Sequence, residues 1–87
     1  MKKTILITGA TAGIGKAAAE LYAKNGWNLI LTGRRLERLE ELKENLVREF
    51  SVDVLILNFD VRDNAAVKSA VNSLSGNWRN VDVLLNN

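Results

Sequence analysis

The groups best suited to chemistry in this chain are bare peptide units. In Thr8-Gly9-Ala10-Thr11-Ala12-Gly13-Ile14-Gly15-Lys16, three glycines separate a short apolar run, Ile5-Leu6-Ile7, from the start of a helical pattern. Backbone amides at the mouth of a helix, uncluttered by side chains, form a cradle for a diphosphate. Gly9 lets the chain turn sharply off a strand, Gly13 removes a Cβ where a phosphate must approach, and Gly15 lets the helix lie close to a sheet. Thr8, Thr11 and Ala12 are small enough to border the same loop, although plain turn chemistry asks for small residues as well. The spacing is G-x-x-x-G-x-G, not G-x-G-x-x-G, so the strand before and the helix after carry the reading. Lys16 does not complete G-x-x-x-x-G-K-[ST], since Ala17 stands where a hydroxyl would hold magnesium; it reads as a solvated lysine.

Four apolar runs must position that loop. Lys3 to Thr8, Asn28 to Thr32, Ser51 to Phe59 and Val81 to Leu85 read as buried strands, the second broken by Gly33. Between them lie three helical patterns. The first runs from Gly13 to Asn25 with an apolar set of Ile14, Ala17, Ala18, Leu21 and Tyr22, and Asn25-Gly26 stops it. The second has a face of Leu36, Leu39, Leu42, Leu46 and Val47; its Glu40/Lys43 and Glu44/Arg48 pairs read as solvated decoration. Asp63 is the expected N-cap of the third, whose face is Val67, Ala70, Val71 and Leu74 and whose end is Ser75-Gly76-Asn77. The order β-α-β-α-β-α-β, free of repeats, predicts an α/β fold: a Rossmann-type, doubly wound parallel sheet with strand order 3-2-1-4. The switch point then falls between the first and fourth strands, where the glycine loop lies. The apolar fourth strand suits pairing on both sides, yet nothing remains to pair with its outer edge. The expectation is that residues 1–87 are the N-terminal half of a single, truncated domain.

Composition narrows the function classes. The 87 residues are 47% hydrophobic and 25% charged, ordinary for a folded chain and unlike the profile of disorder. The formal net charge is +2, with the basic residues spread among acidic ones, so no basic stripe for nucleic acid is expected. Cysteine and histidine are both absent. Disulfides and the usual zinc sites are thereby excluded within these residues, and proton transfer near neutral pH would need a perturbed Lys, Tyr, Asp or Glu. The N-terminus is too briefly apolar for a signal sequence or a membrane span, which leads to the expectation of a cytoplasmic protein.

Three motifs in order, Thr8-Gly9-x-x-x-Gly13-Ile14-Gly15, Asp60-Val61 and Asp82-Val83-Leu84-Leu85-Asn86-Asn87, closely resemble those of the short-chain dehydrogenases/reductases, in register over all 87 residues. The resemblance implies that the glycine loop (Gly9, Thr11, Ala12, Gly13, Ile14, Gly15) holds a coenzyme pyrophosphate, that Asp60 and Val61 border the adenine, and that Asn87 lines the ribose. For Asp60 the alternative is a polar strand end; for Asn86 and Asn87 it is sheet hydrogen bonding. The family's catalytic serine and Tyr-x-x-x-Lys pair are not present: Tyr22, the one tyrosine, is followed four positions on by Gly26 and reads as a packing residue. No residue here is expected to be catalytic.

Arg34 and Arg35 follow the second strand, near where the ribose 2′ position is discriminated. An acidic residue there would accept from a 2′-hydroxyl, whereas guanidinium groups fit a 2′-phosphate through bidentate charged hydrogen bonds. NADP(H) is therefore expected over NAD(H). The alternative is two solvated arginines at a helix start, a place the helix dipole disfavours for cations. The stretch from Thr32 to Leu42 also resembles the subgroup that oxidises serine and 3-hydroxy acids. The implied function is an NADP(H)-dependent oxidoreductase moving hydride between nicotinamide and a carbonyl or alcohol of a small molecule, with homo-oligomers expected of the full-length protein. Two other readings stay open: a non-catalytic dinucleotide-binding or sensing module, and a fragment that self-associates along its open strand.

Overall fold

The computed structural model describes residues 2–11, 13–60 and 62–86. Each apolar run that the sequence marks as a strand is one: β1 (Thr4–Thr8), β2 (Asn28–Gly33), β3 (Val54–Asn58) and β4 (Val83–Asn86). They alternate with α1 (Gly13–Lys24), α2 (Leu36–Phe50) and α3 (Asn64–Asn72), and a single 3-10 turn, Gly76–Trp78, precedes β4. Crossover helices force parallel pairing, and all three strand pairs are parallel, in the order β3-β2-β1-β4. The architecture is the α/β, Rossmann-type sheet that the sequence predicts.

Parallel register puts aligned residues on the same face. Ile5, Leu29, Val54 and Val83 form one row, and Ile7, Leu31, Ile56 and Leu85 the next. These rows pack against Ala19 and Ala23 of α1 and Leu39, Leu42 and Leu46 of α2, which together make the buried core. At about 25 cal/mol per Å² of apolar surface, a fully buried Leu or Ile contributes about 1.5–3 kcal/mol, so this one face dominates the folding energy. The right-handed rule for crossovers between parallel strands carries α3, between β3 and β4, to the opposite face, and among the described residues none of α3 joins that core.

The face of α1 differs from the sequence reading. Ile14 and Leu21, expected inward, are 72% and 58% exposed, and the buried positions are Gly15, Ala19 and Ala23. The i, i+4, i+8 ridge of small residues lets the helix axis approach the sheet more closely than a ridge of large ones would, and that proximity decides the facing. Tyr22 does pack as expected: its ring stands edge-on to Trp27 at 4.9 Å between centroids and borders the core. In α2 the inward residues are Leu39, Leu42 and Leu46, with Leu36 and Val47 left exposed at the rim.

Boundaries shift for local reasons. Gly33 does not break β2 but closes it, paired with Asn58. Ser51 is not in a strand: it caps α2 in the left-handed region (φ 54°), its N–H donating to the Val47 carbonyl. Asp63 caps α3 as expected, its carboxylate accepting from the amides of Ala65 and Ala66 at 3.0 and 3.2 Å. That helix ends at Asn72, before Leu74, because the Ser73 hydroxyl and amide both turn back to the Ala70 carbonyl. Arg48 donates to Asn45 at 2.7 Å and makes no ion pair with Glu44 among the described residues. No helix of the described residues is long and apolar enough to cross a membrane.

Candidate functional site

The carboxyl ends of the strands converge on one edge of the sheet, and main-chain hydrogen bonds fix them there. Beyond β1, the chain turns through Gly9 (φ 62°) into Ala10, which is wholly buried and donates its N–H to the Thr32 carbonyl at the end of β2, 3.1 Å away. One residue further along β2, the Gly33 carbonyl accepts from the amide of Phe59 (3.1 Å) and from the Asn58 side chain (2.9 Å). On the other flank, Thr8 Oγ1 donates to Asn86 Oδ1 at 2.9 Å, joining β1 to the end of β4. These bonds set the glycine loop, the Arg34-Arg35 turn and the Asp60 loop side by side.

At the opposite end of the sheet, Asp82 holds the fourth strand in register: its carboxylate accepts from the Thr4 amide and its own amide donates to the Thr4 carbonyl, both at 2.9 Å. A reciprocal pair of this kind satisfies both main-chain groups of the buried Thr4.

The described part of the glycine loop has features that an anion cradle requires. Gly13 opens α1 with φ 55°, a conformation costly for any residue bearing a Cβ, and a Cβ built there meets no atom within 4 Å. Space thus remains open directly beside the first-turn amides, which lack intrahelical acceptors. No acidic side chain occupies the first turn of α1 to compete for its positive end. Gly15 heads the small-residue ridge that seats the helix on the sheet, Thr11 is half-buried, and Ile14 is exposed. Ala12, Val61 and Asn87, which the sequence also marks, lie outside the described residues.

Arg34 and Arg35 are both exposed, and neither forms an ion pair among the described residues. Arg35 is the N-cap of α2 but its side chain makes no capping bond. Asp60 stands near them. Its carboxylate is held by Arg62, whose backbone amide and Nη2 each donate at 2.9 Å, with Nε at 3.2 and 3.3 Å. This fork, with a smaller contribution from the charge of Arg34, lowers the Asp60 pKa to about 2. Asp60 therefore stays ionised as an acceptor throughout the physiological range.

Arg62 and Arg38, which the sequence reading does not single out, and Lys16, which it reads as solvated and which is exposed, stand beside these groups. Arg62 orients Asp60. Lys16 lines a cleft with Thr11 and with Arg38 of α2. The spacing of Arg38, one helical turn beyond Arg34 and Arg35, is a signal that would have singled it out.

Comparison with known proteins matches this arrangement to a family. The family model described as short chain dehydrogenase matches residues 3–87. The chain is 51% identical over 87 residues to sulfoacetaldehyde reductase 2 of Chromohalobacter salexigens, which covers 100% of this chain and 34% of that protein. It is 46% identical over 83 residues to the NADP-dependent 3-hydroxy acid dehydrogenase of Salmonella typhi, covering 95% of this chain and 32% of the relative. Among solved structures it resembles L-sorbose reductase from Gluconobacter frateurii, complexed with NADPH and L-sorbose, with a TM-score of 0.90 and 37% identity over 99% of this chain and 33% of that one. The chain thus spans about a third of the length of the curated relatives it matches. With the strand order 3-2-1-4, the glycine loop at its switch point and a family match over nearly all of its residues, the chain belongs to the short-chain dehydrogenase family.

Proposed function

We propose that residues 1–87 form one coenzyme-binding unit of an NADP(H)-dependent oxidoreductase. The observation that carries this reading is the stitching of three loops, by the Ala10–Thr32 and Gly33–Phe59 bonds, into one edge that presents the first turn of α1, two arginines with no ion pair among the described residues and an ionised acceptor. In this reading Gly9, Thr11, Ala12, Gly13, Ile14 and Gly15 form the loop that holds the diphosphate, Gly9 by making the turn and the helix mouth by its main-chain N–H groups. Arg34 and Arg35 hold the 2′-phosphate, Asp60 accepts from the adenine amino group beside Val61, and Asn87 borders the ribose. The NADPH complex of the sorbose reductase and the NADP dependence in the name of the Salmonella relative support the choice of coenzyme.

When bound, the nicotinamide supplies or accepts a hydride at a carbonyl or alcohol carbon. The relatives' names differ in substrate, sulfoacetaldehyde for the Chromohalobacter protein and a 3-hydroxy acid for the Salmonella one, and a 3-hydroxy acid is the class this reading takes, on the resemblance of the Thr32 to Leu42 stretch. These 87 residues contribute binding and orientation; none is assigned a catalytic role, and alone they are expected to bind coenzyme without turnover. Titration of the full-length protein with NADPH and NADH tests the reading. Tighter binding of NADPH, lost in Arg34→Ala while NADH affinity holds, is the expected result, and equal affinity of the unmodified protein for both overturns it.

A further inference from the structure

Two surface depressions meet at one side chain. The first, ≈ 250 Å³, is lined by Thr11 and Lys16 beside the glycine loop and by Arg38, Glu41, Leu42 and Asn45 of α2. The second, ≈ 530 Å³, is lined by Arg34, Arg35, Leu36, Glu37 and Arg38. Arg38 borders both. It lies in the first turn of α2, where its amide donates to the Arg35 carbonyl at 3.1 Å, and it is exposed with no ion pair among the described residues.

We propose that Arg38 is a third specificity-determining guanidinium for the coenzyme's 2′-phosphate, an inference that rests on the coenzyme reading above. A phosphate monoester carries close to two negative charges and three oxygens, each with more than one lone pair, so two guanidinium groups on one side of it leave acceptor sites open to a third from another direction. Arg34 and Arg35 approach from the end of β2. Arg38 stands between that turn and the Thr11 side of the glycine loop, so its fork can reach the same group from the other flank. Lys16 faces the same cleft, whereas Glu37 and Glu41, the carboxylates lining the two depressions, repel a dianion and are offset by the Arg38 charge. A 2′-hydroxyl has no net charge and gains little from a third cation. The signature of Arg38 is therefore a change in preference between the two coenzymes, and a merely structural role at an exposed position would not produce one.

The test is Arg38→Gln in the full-length protein, with NADPH and NADH affinities measured at low and at moderate salt. The expected result is NADPH binding weakened about tenfold, the size of one exposed charge-assisted hydrogen bond, with a shallower salt dependence. NADH affinity is expected to stay within about twofold, which also reports that the variant is folded. Unchanged NADPH affinity, or equal weakening of both coenzymes, overturns the inference. The two levels separate cleanly. If the unmodified protein binds both coenzymes equally, the coenzyme reading itself falls and this inference with it; if Arg34→Ala abolishes the preference and Arg38→Gln preserves it, only the role of Arg38 falls.

Discussion

Replacing Gly13 separates backbone conformation from ligand space. At φ 55°, an L-residue costs about 1–2 kcal/mol, and a Cβ there touches nothing within 4 Å, so neither a clash nor a packing gain alters that figure. Gly13→Ala is expected to lose about 1–2 kcal/mol of stability. Asn tolerates the left-handed region better than Ala, so Gly13→Asn is expected to lose less, under about 1 kcal/mol, although its side chain is larger. Coenzyme binding should rank the variants differently. If the open space beside the first-turn amides is where a phosphate sits, Asn obstructs it at least as much as Ala does. NADPH affinity should then fall roughly 10- to 100-fold, the worth of one or two charge-assisted hydrogen bonds. Urea denaturation gives the stabilities, and fluorescence titration under conditions where all three proteins are folded gives the affinities. An Asn variant that binds like the unmodified protein, or affinities that simply track stabilities, would refute the reasoning.

Other consequences are equally measurable. Ala19→Leu forces bulk into the wholly buried contact between α1 and the sheet and should cost about 1–3 kcal/mol, while Leu21→Lys on the exposed side should stay within about 0.5 kcal/mol, both read by urea denaturation. Asp82→Ala strips the buried Thr4 amide of its acceptor and should cost about 1–3 kcal/mol in the same assay, with early loss of protection at β4 amides in hydrogen exchange. Asp60 should titrate near 2 by carboxyl NMR and move toward the ordinary 3.8 in Arg62→Ala. Because its folded pKa is depressed, whatever it contributes to stability is fully present above the ordinary value and is lost as pH falls through about 2.

Strand number, helix order and sheet order were legible because fully apolar runs separated by amphipathic ones allow few alternatives. The facing of α1 was not. Periodicity weights large apolar residues and therefore chose Ile14 and Leu21, whereas the sheet selected Gly15, Ala19 and Ala23 for closeness of approach, a tertiary requirement with little hydropathic signal. At the site, Gly9, Gly13 and the Arg34-Arg35 turn stood out because backbone geometry and charge are written locally. The pairing of Arg62 with Asp60 and the position of Arg38 between two depressions depend on how loops fold back and on helix phase, which one-dimensional spacing expresses weakly.

The bonds from Ala10 to Thr32 and from Phe59 to Gly33 join peptide groups, which every residue except proline supplies alike. The scaffold of the edge therefore does not depend on the exposed side chains around it, such as Arg34 and Arg35, and those can be exchanged while it stays intact. On the proposed coenzyme reading, preference is thereby uncoupled from architecture: a lineage could trade guanidinium for carboxylate at Arg34 and acquire a different electron carrier without first dismantling what positions it. Inheritance of the frame and drift of its selectivity would then proceed as separate events.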